Sequence, residues 1–533
     1  MLSYNPKNRL FFLYSDDAKK ARDVGLTLST KITGPDGEKC WFTDSPYAAM
    51  VYYDVADEKA RNIIDPIWND YQESWINEGV ESEIPAPPGL EYMPFQKAGI
   101  EFAYNKGNVL IGDDMGLGKT IQGIGLANKM NAKHILVVVP ASVRFGWESK
   151  IHLWSTISNV KTLVCLSGID AEAINPFYNY VIVSYNLATN KEMHKRLRGI
   201  EWDLLILDEA HYLKTPTAKR TRAIFGGGIG DFQHVNLINH CKKVCALTGT
   251  PLLNRPKECY TLARGLHWES IDWASEEAFE NRYNKPKTRE YPEIKGRLPE
   301  LHARLRSNFM IRRLKEEVLE DLPDKNYEMT YLEPDGQITE VLAKQKLVDF
   351  DPRNFVKSNI DSEGHISTLR REMGEAKVDR VASHIQYLLD IQGVQKLVVG
   401  FHHHTVRELL VDKLYKYGIH VYHGKMTPKA KQQSFDTFIE DGEKSKIFLG
   451  QLNSAGEGLD GLQHICQYVV FAEIAWTPSG NQQFIDRIFR IGQHDNVIAQ
   501  FLISPGSFDE RILNVVLEKE LNIFNTVDNK IKG

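Results

Sequence analysis

The segment 109–129 reads VLIGDDMGLGKTIQGIGLANK, and the order of its features decides the fold. Val109–Ile111 is a short apolar run next to glycine, which is typical of a buried strand. Ile121–Lys129 has the length and composition of a helix. The glycine-rich turn between them completes a strand–loop–helix unit, which is the repeating element of a parallel α/β sheet.

The turn itself has the chemistry of a phosphate-binding loop. Gly116 and Gly118 let backbone N–H groups approach phosphate oxygens, and the N-terminus of the following helix adds partial positive charge. Lys119 can reach the β and γ phosphates, and the Thr120 hydroxyl can ligate Mg²⁺. The general pattern has glycine where this chain has Asp113. The sequence still favours a phosphate site, and the alternative is a glycine-rich turn that merely precedes a helix.

A second segment supplies two adjacent acids. Asp203–Leu207 predicts a buried strand that ends in Asp208-Glu209-Ala210-His211. Two buried carboxylates are costly unless they serve a purpose. Hydrolysis of Mg²⁺-ATP would supply that purpose, because Asp208 could hold Mg²⁺ and Glu209 could orient and deprotonate the attacking water. The alternative is a strand end that simply reaches solvent.

Strand-like and helix-like segments alternate through most of the chain. This alternation predicts an α/β fold with parallel sheets that are covered on both faces. The predicted strands are, in a first series, Val109–Ile111, His134–Val139, Lys161–Leu166, Tyr180–Ser184, Asp203–Leu207 and Val244–Leu247, and in a second series, Lys396–Phe401, Ile419–His423, Lys446–Leu449, Tyr468–Phe471 and Val497–Ile503.

Residues 1–85 predict a small α+β module. Helical patterning occurs at Ala18–Val24 and Glu58–Trp75, and residues 33–37 predict a turn between two strands. The proline-rich stretch 84–89 is typical of a linker.

The remaining boundaries follow from where the alternation stops and resumes. We expect a first α/β lobe at 90–325, a connector with one helix at 326–375, and a second α/β lobe at 376–533. The second lobe is predicted to end in an amphipathic helix at Asp509–Leu521.

Composition limits the possible classes only broadly. The formal net charge of −5 does not indicate a nucleic-acid partner, although a basic groove can exist on an acidic protein. The six cysteines lack the paired spacing of a zinc site, so reduced thiols are expected. No stretch approaches the ~18 apolar residues of a membrane span, so we expect no membrane partner.

Further short motifs occur along the chain, at Met93-Pro94-Phe95-Gln96, Val137–Ser142, Val183–Asn186, Asp208–His211, Leu247–Pro251, Leu449–Asp460 and Gln483–Gln493. The last of them ends in Asp-Arg-x-x-Arg-x-Gly-Gln. These motifs resemble those of the superfamily-two helicases, and in particular of their Swi/Snf-related branch, which that ending separates from strand-separating helicases. Met310–Lys315 and Leu369–Lys377 resemble segments of the annealing-helicase subgroup.

The resemblance implies two RecA-like lobes in tandem that bind ATP with Mg²⁺, and a glutamine, Gln96, that reads the adenine edge. Arg487 and Arg490 are three residues apart, so a helix would place them on one face, from which they would stabilise charge on the γ-phosphate. With Lys119, Asp208 and Glu209 they form the implied catalytic set, and Thr120 and Asp208 are the implied Mg²⁺ ligands. The implied ATP-binding residues are Phe95, Gln96, Asp114, Met115, Gly116, Leu117, Gly118, Lys119, Thr120, Gly458 and Asp460.

The same resemblance implies contacts to DNA. Small hydroxyls and amides suit sequence-independent contact with phosphates. Lys39–Thr43 resembles part of a small domain that precedes annealing-helicase motors, so residues 1–85 are predicted to recognise DNA structure. The implied DNA-binding residues are Ser142, Ser184, Tyr185, Asn186, Lys214, Thr248, Thr250, Lys425 and Ser454.

The sequence therefore predicts a DNA-stimulated ATPase that translocates on or remodels duplex or forked DNA, in the context of DNA repair. Two other functions remain open: a strand-separating DNA helicase, and an ATP-gated DNA-binding scaffold in a repair, replication or defence complex. We expect a monomer, and protein partners are not predictable. The compact length resembles bacterial or viral members of the family, so we expect the bacterial cytoplasm or an infected host cell, or the nucleus in a eukaryote.

Two conspicuous groups are given no ligand. His402-His403-His404 end a predicted strand. Adjacent side chains of a strand point to opposite faces, so the three histidines are not predicted to share a metal ion. Trp147 and Trp154 are predicted to be core or interface residues, and stacking on a nucleic-acid base is the alternative.

Overall fold

The computed structural model of the chain describes residues 1–33, 37–226, 236–250, 256–271, 275–283, 297–348, 360–455 and 461–523. It divides into two compact units, one comprising Met1–Val318 and one comprising Leu319–Leu521. Each unit contains a parallel sheet, and the first also contains a small antiparallel sheet at its N-terminus. The predicted α/β class, with two RecA-like lobes in tandem and a small N-terminal α+β module, is confirmed. Most of the predicted turn at 33–37 lies outside the described residues.

The N-terminal sheet has the strand order β1-β2-β4-β3, with β1 (Leu2–Asn5), β2 (Leu10–Tyr14), β3 (Thr27–Thr33) and β4 (Lys39–Thr43). Along β2, buried Phe11 and Leu13 alternate with half-buried neighbours, which is the pattern of a strand with one covered face. Three helices complete this part: α1 (Ala18–Val24), α2 (Pro46–Met50) and α3 (Glu58–Glu73). Each begins at a polar N-cap whose side chain accepts a hydrogen bond from the first turn: Asp17, Ser45 and Asp57.

The larger sheet of the first unit is parallel throughout and has the order β11-β5-β10-β9-β6-β8-β7. Six of its strands were predicted, and the seventh, β11, has only two residues, too few for a periodic signal. The strands are β5 (Val109–Ile111), β6 (Ile135–Val139), β7 (Thr162–Val164), β8 (Tyr180–Ser184), β9 (Leu204–Asp208), β10 (Val244–Leu247) and β11 (Met310–Ile311).

Helices cover both faces of this sheet. Alternate residues of β6 pack into two different hydrophobic clusters, Leu136 and Val138 into one and Val137 and Val139 into the other. The helices of the lobe are α4 (Pro94–Asn105), α5 (Lys119–Lys129), α6 (Arg144–Trp154), α7 (Lys191–Arg198), α8 (Lys219–Phe225), α9 (Cys259–Leu266), α10 (Glu276–Tyr283), α11 (Leu298–Asn308) and α12 (Lys315–Val318).

The second unit contains a six-stranded parallel sheet with the order β12-β17-β16-β13-β15-β14. Its strands are β12 (Lys325–Tyr331), β13 (Leu397–Phe401), β14 (Ile419–Tyr422), β15 (Ile447–Gln451), β16 (Tyr468–Phe471) and β17 (Val497–Ile503). Its helices are α13 (Gly336–Lys346), α14 (Ile360–Ala376), α15 (Val378–Asp390), α16 (His404–Leu414), α17 (Pro428–Glu440), α18 (Leu452–Ala455), α19 (Pro478–Ile485) and α20 (Phe508–Ile523).

One of these strands differs from expectation. Most of β12 falls within the segment 326–375, which the sequence predicts to be a connector, yet β12 pairs with β17 along its whole length. It is one of the two edge strands, and most of its side chains are exposed. A strand with so little apolar burial lacks the run of aliphatic residues that marks an interior strand of a parallel sheet.

None of the described helices is both long and apolar enough to cross a membrane.

Helix α11 fastens the N-terminal sheet and its helices to the larger lobe. Ala303 packs in the hydrophobic core formed by residues of the N-terminal strands and helices. Glu300 has no exposed surface, and its carboxylate accepts hydrogen bonds from Ser45, Arg282 and Arg304. Burial raises the pKa of Glu300, but the charges of Arg304 and Arg282 outweigh burial and hold that pKa below its ordinary value. The ionised carboxylate of Glu300 is therefore a buried tie, which connects the N-terminal part of the first unit, through Ser45, to the larger lobe, through Arg282 and Arg304.

Replacing Glu300 by glutamine is expected to destabilise the chain by about 3–5 kcal/mol, because two arginines would lose the charge that compensates them in a buried site. The folded-state pKa is depressed, so the stability that Glu300 contributes is present above the unfolded-state pKa and is lost as pH falls through the folded-state pKa. Urea unfolding at neutral and acidic pH, followed by tryptophan fluorescence, measures both effects.

Glu91→Gln is the matched control for this measurement. Glu91 also forms an ion pair, with Lys97 at 2.8 Å, but its side chain is 81% exposed. Removing an exposed partner changes stability little. An E300Q protein that unfolds at the same urea concentration as E91Q would contradict the proposed tie.

Candidate nucleotide site

The predicted phosphate loop lies between β5 and α5, at the carboxyl edge of the first parallel sheet. Gly116 and Gly118 have φ values of +83° and +75°, a left-handed conformation that L side chains rarely adopt. Gly118 is also the N-cap of α5, and a Cβ there would lie 2.5 Å from Nε2 of Gln96. The two glycines that the sequence singled out are thus required by backbone conformation and, at Gly118, by close approach.

Lys119 is the first residue of α5, and its ammonium folds back over the loop. Nζ donates hydrogen bonds to the carbonyl oxygens of Asp113 at 2.9 Å and Asp114 at 3.0 Å. Burial holds the pKa of Lys119 below its ordinary value. The nearby negative charges oppose this effect only in part, and Glu209 contributes most among them. The lysine therefore lies beside both the loop and the acid pair.

Asp208 ends β9 with both carboxylate oxygens held in place. Oδ2 accepts a hydrogen bond from Nε1 of Trp147 at 2.7 Å, and Oδ1 accepts one from the backbone N–H of Glu209 at 2.9 Å. Burial and then the neighbouring charge of Glu209 raise the pKa of Asp208 to about 6. Two adjacent carboxylates at this position favour the binding of a cation between or beside them.

Glu209 adopts an unusual backbone conformation for a residue with a side chain. Its φ of +49° lies in the left-handed region, which costs on the order of 1 kcal/mol and is concentrated at functional sites. Nδ1 of His211 lies 3.1 Å from Oε2 of Glu209 and 3.1 Å from Oγ1 of Thr248. His211 thus bridges the acid pair and the loop that follows β10.

Gln96, on α4, also lies against the phosphate loop. Its Oε1 accepts a hydrogen bond from the backbone N–H of Met93 at 3.0 Å, and its Nε2 donates to the carbonyl of Leu117 at 3.2 Å. Gln96 and Phe95 are both buried. The residue predicted to read adenine therefore also ties its own segment to the loop.

Three residues of this site were not predicted from the sequence: Trp147, Gln122 and Arg313. Trp147 was expected in the core, and it is buried, but its indole N–H is directed at Asp208. The side chain of Asp113 is fully buried and paired with Arg313 and Gln122. The departure of Asp113 from the general loop pattern was the only sequence signal for this network.

The predicted DNA contacts differ in burial and fall into three groups. Ser142, Asn186 and Lys425 are exposed. Ser184, Tyr185 and Thr248 are buried, and their hydroxyl groups are engaged within the protein, as donor or acceptor, with Leu187, Asp208 and His211. Of the rest, Thr250 is partly buried, Lys214 pairs with Glu258, and Ser454 donates to Gln451.

In the second unit, the two predicted arginines do not lie on a helix face. Helix α19 ends at Ile485, and Arg487 and Arg490 follow in consecutive turns, with Ile488 and Phe489 between them in the hydrophobic core. The arginines themselves are only partly buried. The expectation of a shared helix face is wrong, and the predicted Gly458 and Asp460 lie outside the described residues.

The three consecutive histidines after β13 have separate environments. Nδ1 of His403 lies 2.6 Å from Oε1 of buried Glu473, whose other oxygen accepts the backbone N–H groups of His402 and His403. The ring of His404 instead meets the ring of His423 edge-on, with centroids 5.2 Å apart. Burial and then nearby cations, among them Lys425 for His404, lower the pKa of both His404 and His423.

Comparison with solved structures finds similar chains at low identity. A Sulfolobus solfataricus SWI2/SNF2 ATPase core in complex with dsDNA is 21% identical, with a TM-score of 0.40, and the match covers 84% of this chain and 100% of that one. The Sulfolobus solfataricus SWI2/SNF2 ATPase core domain is 22% identical, with a TM-score of 0.40, and the match covers 85% of this chain and 95% of that one.

Two curated relatives are more similar in sequence. SWI/SNF-related matrix-associated actin-dependent regulator of chromatin subfamily A-like protein 1 of Xenopus laevis is 31% identical over 434 residues, which cover 80% of this chain and 43% of that protein. DNA annealing helicase and endonuclease ZRANB3 of Bos taurus is 29% identical over 437 residues, which cover 78% of this chain and 39% of that protein. The matched region thus spans less than half the length of each of these relatives.

Two family models match consecutive parts of the chain. The helicase conserved C-terminal domain matches residues 378–492. The SNF2-related domain matches residues 67–386, more than half of the chain, and includes the phosphate loop and the acid pair. On this match the chain belongs to the SNF2-related family of helicase-type ATPases.

Proposed function

We propose that the chain is an ATP-dependent translocase or remodeller of double-stranded or branched DNA. The observation that carries this proposal is the meeting of Lys119, Asp208 and Glu209 at one edge of a parallel sheet, in a chain of the SNF2-related family. Two relatives support DNA as the substrate by their names, a chromatin regulator and a DNA annealing helicase.

Mg²⁺ is the metal that the proposed reaction requires, and the residues present fit it. Its ligands would be the hydroxyl of Thr120 and a carboxylate oxygen of Asp208, which are the hard oxygen donors that Mg²⁺ prefers. Burial and the charge of Glu209 raise the pKa of Asp208, and a divalent cation would relieve this concentration of negative charge. When bound, the metal would neutralise charge on the phosphates.

The protein groups have separate proposed roles in hydrolysis. Lys119 would leave the loop carbonyls to bind the β and γ phosphates. Glu209 would orient the attacking water and accept its proton, while His211 holds the Glu209 carboxylate. The strained backbone of Glu209 supports this role, because such strain persists where a side chain must point in one direction.

Arg487 and Arg490 are proposed to stabilise the charge that develops on the transferred phosphoryl group. An arginine in this role is worth about 10³–10⁵ in rate. Because both belong to the second unit, hydrolysis would depend on the two units coming together, which is the coupling that a motor needs.

DNA contacts are proposed for the exposed members of the predicted set, Ser142, Asn186 and Lys425. Residues 1–85 are proposed as a module for recognising DNA structure, joined to a first lobe at 90–325. The tie through Glu300 supports a module that would act together with that lobe. The segment 326–375 would lead to a second lobe at 376–533, although its first strand, β12, already belongs to the sheet of that lobe.

ATP hydrolysis is expected to rise strongly on addition of duplex or forked DNA and to fall to background in Lys119→Ala, because that variant lacks the proposed phosphate ligand. Steady-state turnover without nucleic acid and with single-stranded, double-stranded and forked DNA provides the test. A folded wild-type protein that no DNA stimulates would contradict the translocase and favour the ATP-gated scaffold. Strand displacement from a forked duplex would favour the helicase.

Trp147→Phe is expected to lower the turnover number by roughly tenfold while ATP affinity changes little, because it removes the indole N–H that holds Asp208. The magnitude follows from the strength of a hydrogen bond to a charged group, which is worth about 1.5–3 kcal/mol. Trp154→Phe is the control on the same helix. Trp154 is also buried, and its ring packs on Tyr92 with centroids 5.1 Å apart. Equal turnover in the two variants would show that the indole of Trp147 serves packing alone.

Affinity for DNA is expected to increase as pH falls towards 6, by up to about tenfold per pH unit for each proton taken up. A phosphate near Lys425 would raise the depressed pKa values of His404 and His423, so that binding takes up protons. After burial, Arg407 lowers the pKa of both histidines, Lys431 lowers that of His423, and Glu408 raises that of His404.

Fluorescence anisotropy with a labelled duplex, measured across pH at constant ionic strength, provides this test. His404→Asn/His423→Asn should flatten the pH dependence. His384→Asn should not, because His384 contacts Gln500 elsewhere in the second unit. A double variant with the wild-type pH dependence would exclude these histidines as the source.

A further inference from the structure

The guanidinium of Arg313 is buried beside the phosphate loop, and Arg313 is the second residue after β11. Its side chain and that of Asp113 are both fully buried. Nε of Arg313 donates to Oδ1 of Asp113 at 2.9 Å, and Nη2 donates to Oδ2 at 2.5 Å. The two parallel hydrogen bonds make this a bidentate ion pair, the geometry that fixes an arginine most firmly.

Arg313 also holds two other segments of the nucleotide site. Nη1 donates to the backbone carbonyl of Phe95, which precedes Gln96 on α4. Nη2 donates to Oε1 of Gln122 on α5 at 3.0 Å, and Nε2 of Gln122 donates to Asp113 at 2.7 Å. One buried cation therefore connects the first residue of the loop, the proposed adenine segment and the helix that Lys119 begins.

The side chains of this network are closely packed against α4. A Cβ added to Gly99 would collide with Oε1 of Gln122 and with Nη2 of Arg313. A buried ion pair usually contributes little net stability, because desolvation offsets the Coulombic attraction. The network is therefore better explained by the arrangement that it enforces than by the stability that it adds.

We propose that Arg313 is a positioning residue for the nucleotide. It holds the phosphate loop through Asp113, the segment of Phe95 and Gln96 through a backbone carbonyl, and α5 through Gln122, so that these three walls keep the spacing that ATP requires. This inference rests on the proposed ATP site, and it explains why the chain has an aspartate where the general loop pattern has glycine.

The decisive variant replaces the ion pair by apolar side chains of similar size, Asp113→Leu/Arg313→Met, which removes both charges without leaving either unpaired. Affinity for a fluorescent non-hydrolysable ATP analogue with Mg²⁺ should fall by at least about tenfold, because the three segments would lose the contacts that set their spacing and small displacements in a binding site cost this much or more. Affinity for duplex DNA without nucleotide should stay within about twofold, because remote sites act independently.

Lys377→Met/Asp509→Leu is the matched control. Lys377 and Asp509 form another buried ion pair, at 2.6 Å, in the second unit. Its removal should change the thermal midpoint comparably and leave affinity for the ATP analogue at the wild-type value. A role of Arg313 in stability alone predicts that the two double variants behave alike in both measurements.

Gln122→Met tests the same proposal in case the double variant does not fold, because it removes one acceptor of Arg313 and one donor to Asp113 in a side chain of similar shape. It should weaken binding of the ATP analogue by about threefold or more. Wild-type affinity in either folded variant would overturn the positioning role. A wild-type protein that fails to bind the analogue would instead overturn the proposed function.

Discussion

The parallel pairing of β5, β10 and β9 is the constraint on which the candidate site depends. Leu247 of β10 is in register with Ile111 of β5 on one side and with Asp208 of β9 on the other. Parallel strands end at the same edge of a sheet, so the loops that follow them must meet there. The phosphate loop, Thr248 and the acid pair are therefore brought together by backbone hydrogen bonds, although more than a hundred residues separate the first from the last in sequence.

Charge balance governs the details within that frame. Burial and then the adjacent carboxylate of Glu209 raise the pKa of Asp208, while Lys119 supplies an opposing charge. The indole of Trp147 and the imidazole of His211 then fix each carboxylate separately. A site arranged in this way is suited to a divalent cation and a polyphosphate, because both would complete a balance that the protein side chains leave incomplete.

The sequence predicted the parts of this structure that have a local signal. The apolar runs of β5, β8, β10, β16 and β17 matched the observed strands in both bounds, and the glycine-rich turn predicted the phosphate loop. It did not predict Arg313, because that residue follows a two-residue strand and its role exists only through contacts made in three dimensions. The helix face assigned to Arg487 and Arg490 was wrong, because α19 ends at Ile485, before both arginines. The spacing of two residues does not show where a helix ends.

We propose that ATP hydrolysis moves the chain along DNA, and the dependence of turnover on duplex length tests this movement most directly. A translocase spends a larger fraction of its time moving on a longer track, so ATP turnover at saturating DNA ends should keep rising as the duplex is lengthened well beyond the binding footprint. Turnover that reaches its maximum as soon as the duplex fills the footprint would contradict movement and would identify a nucleotide-gated clamp.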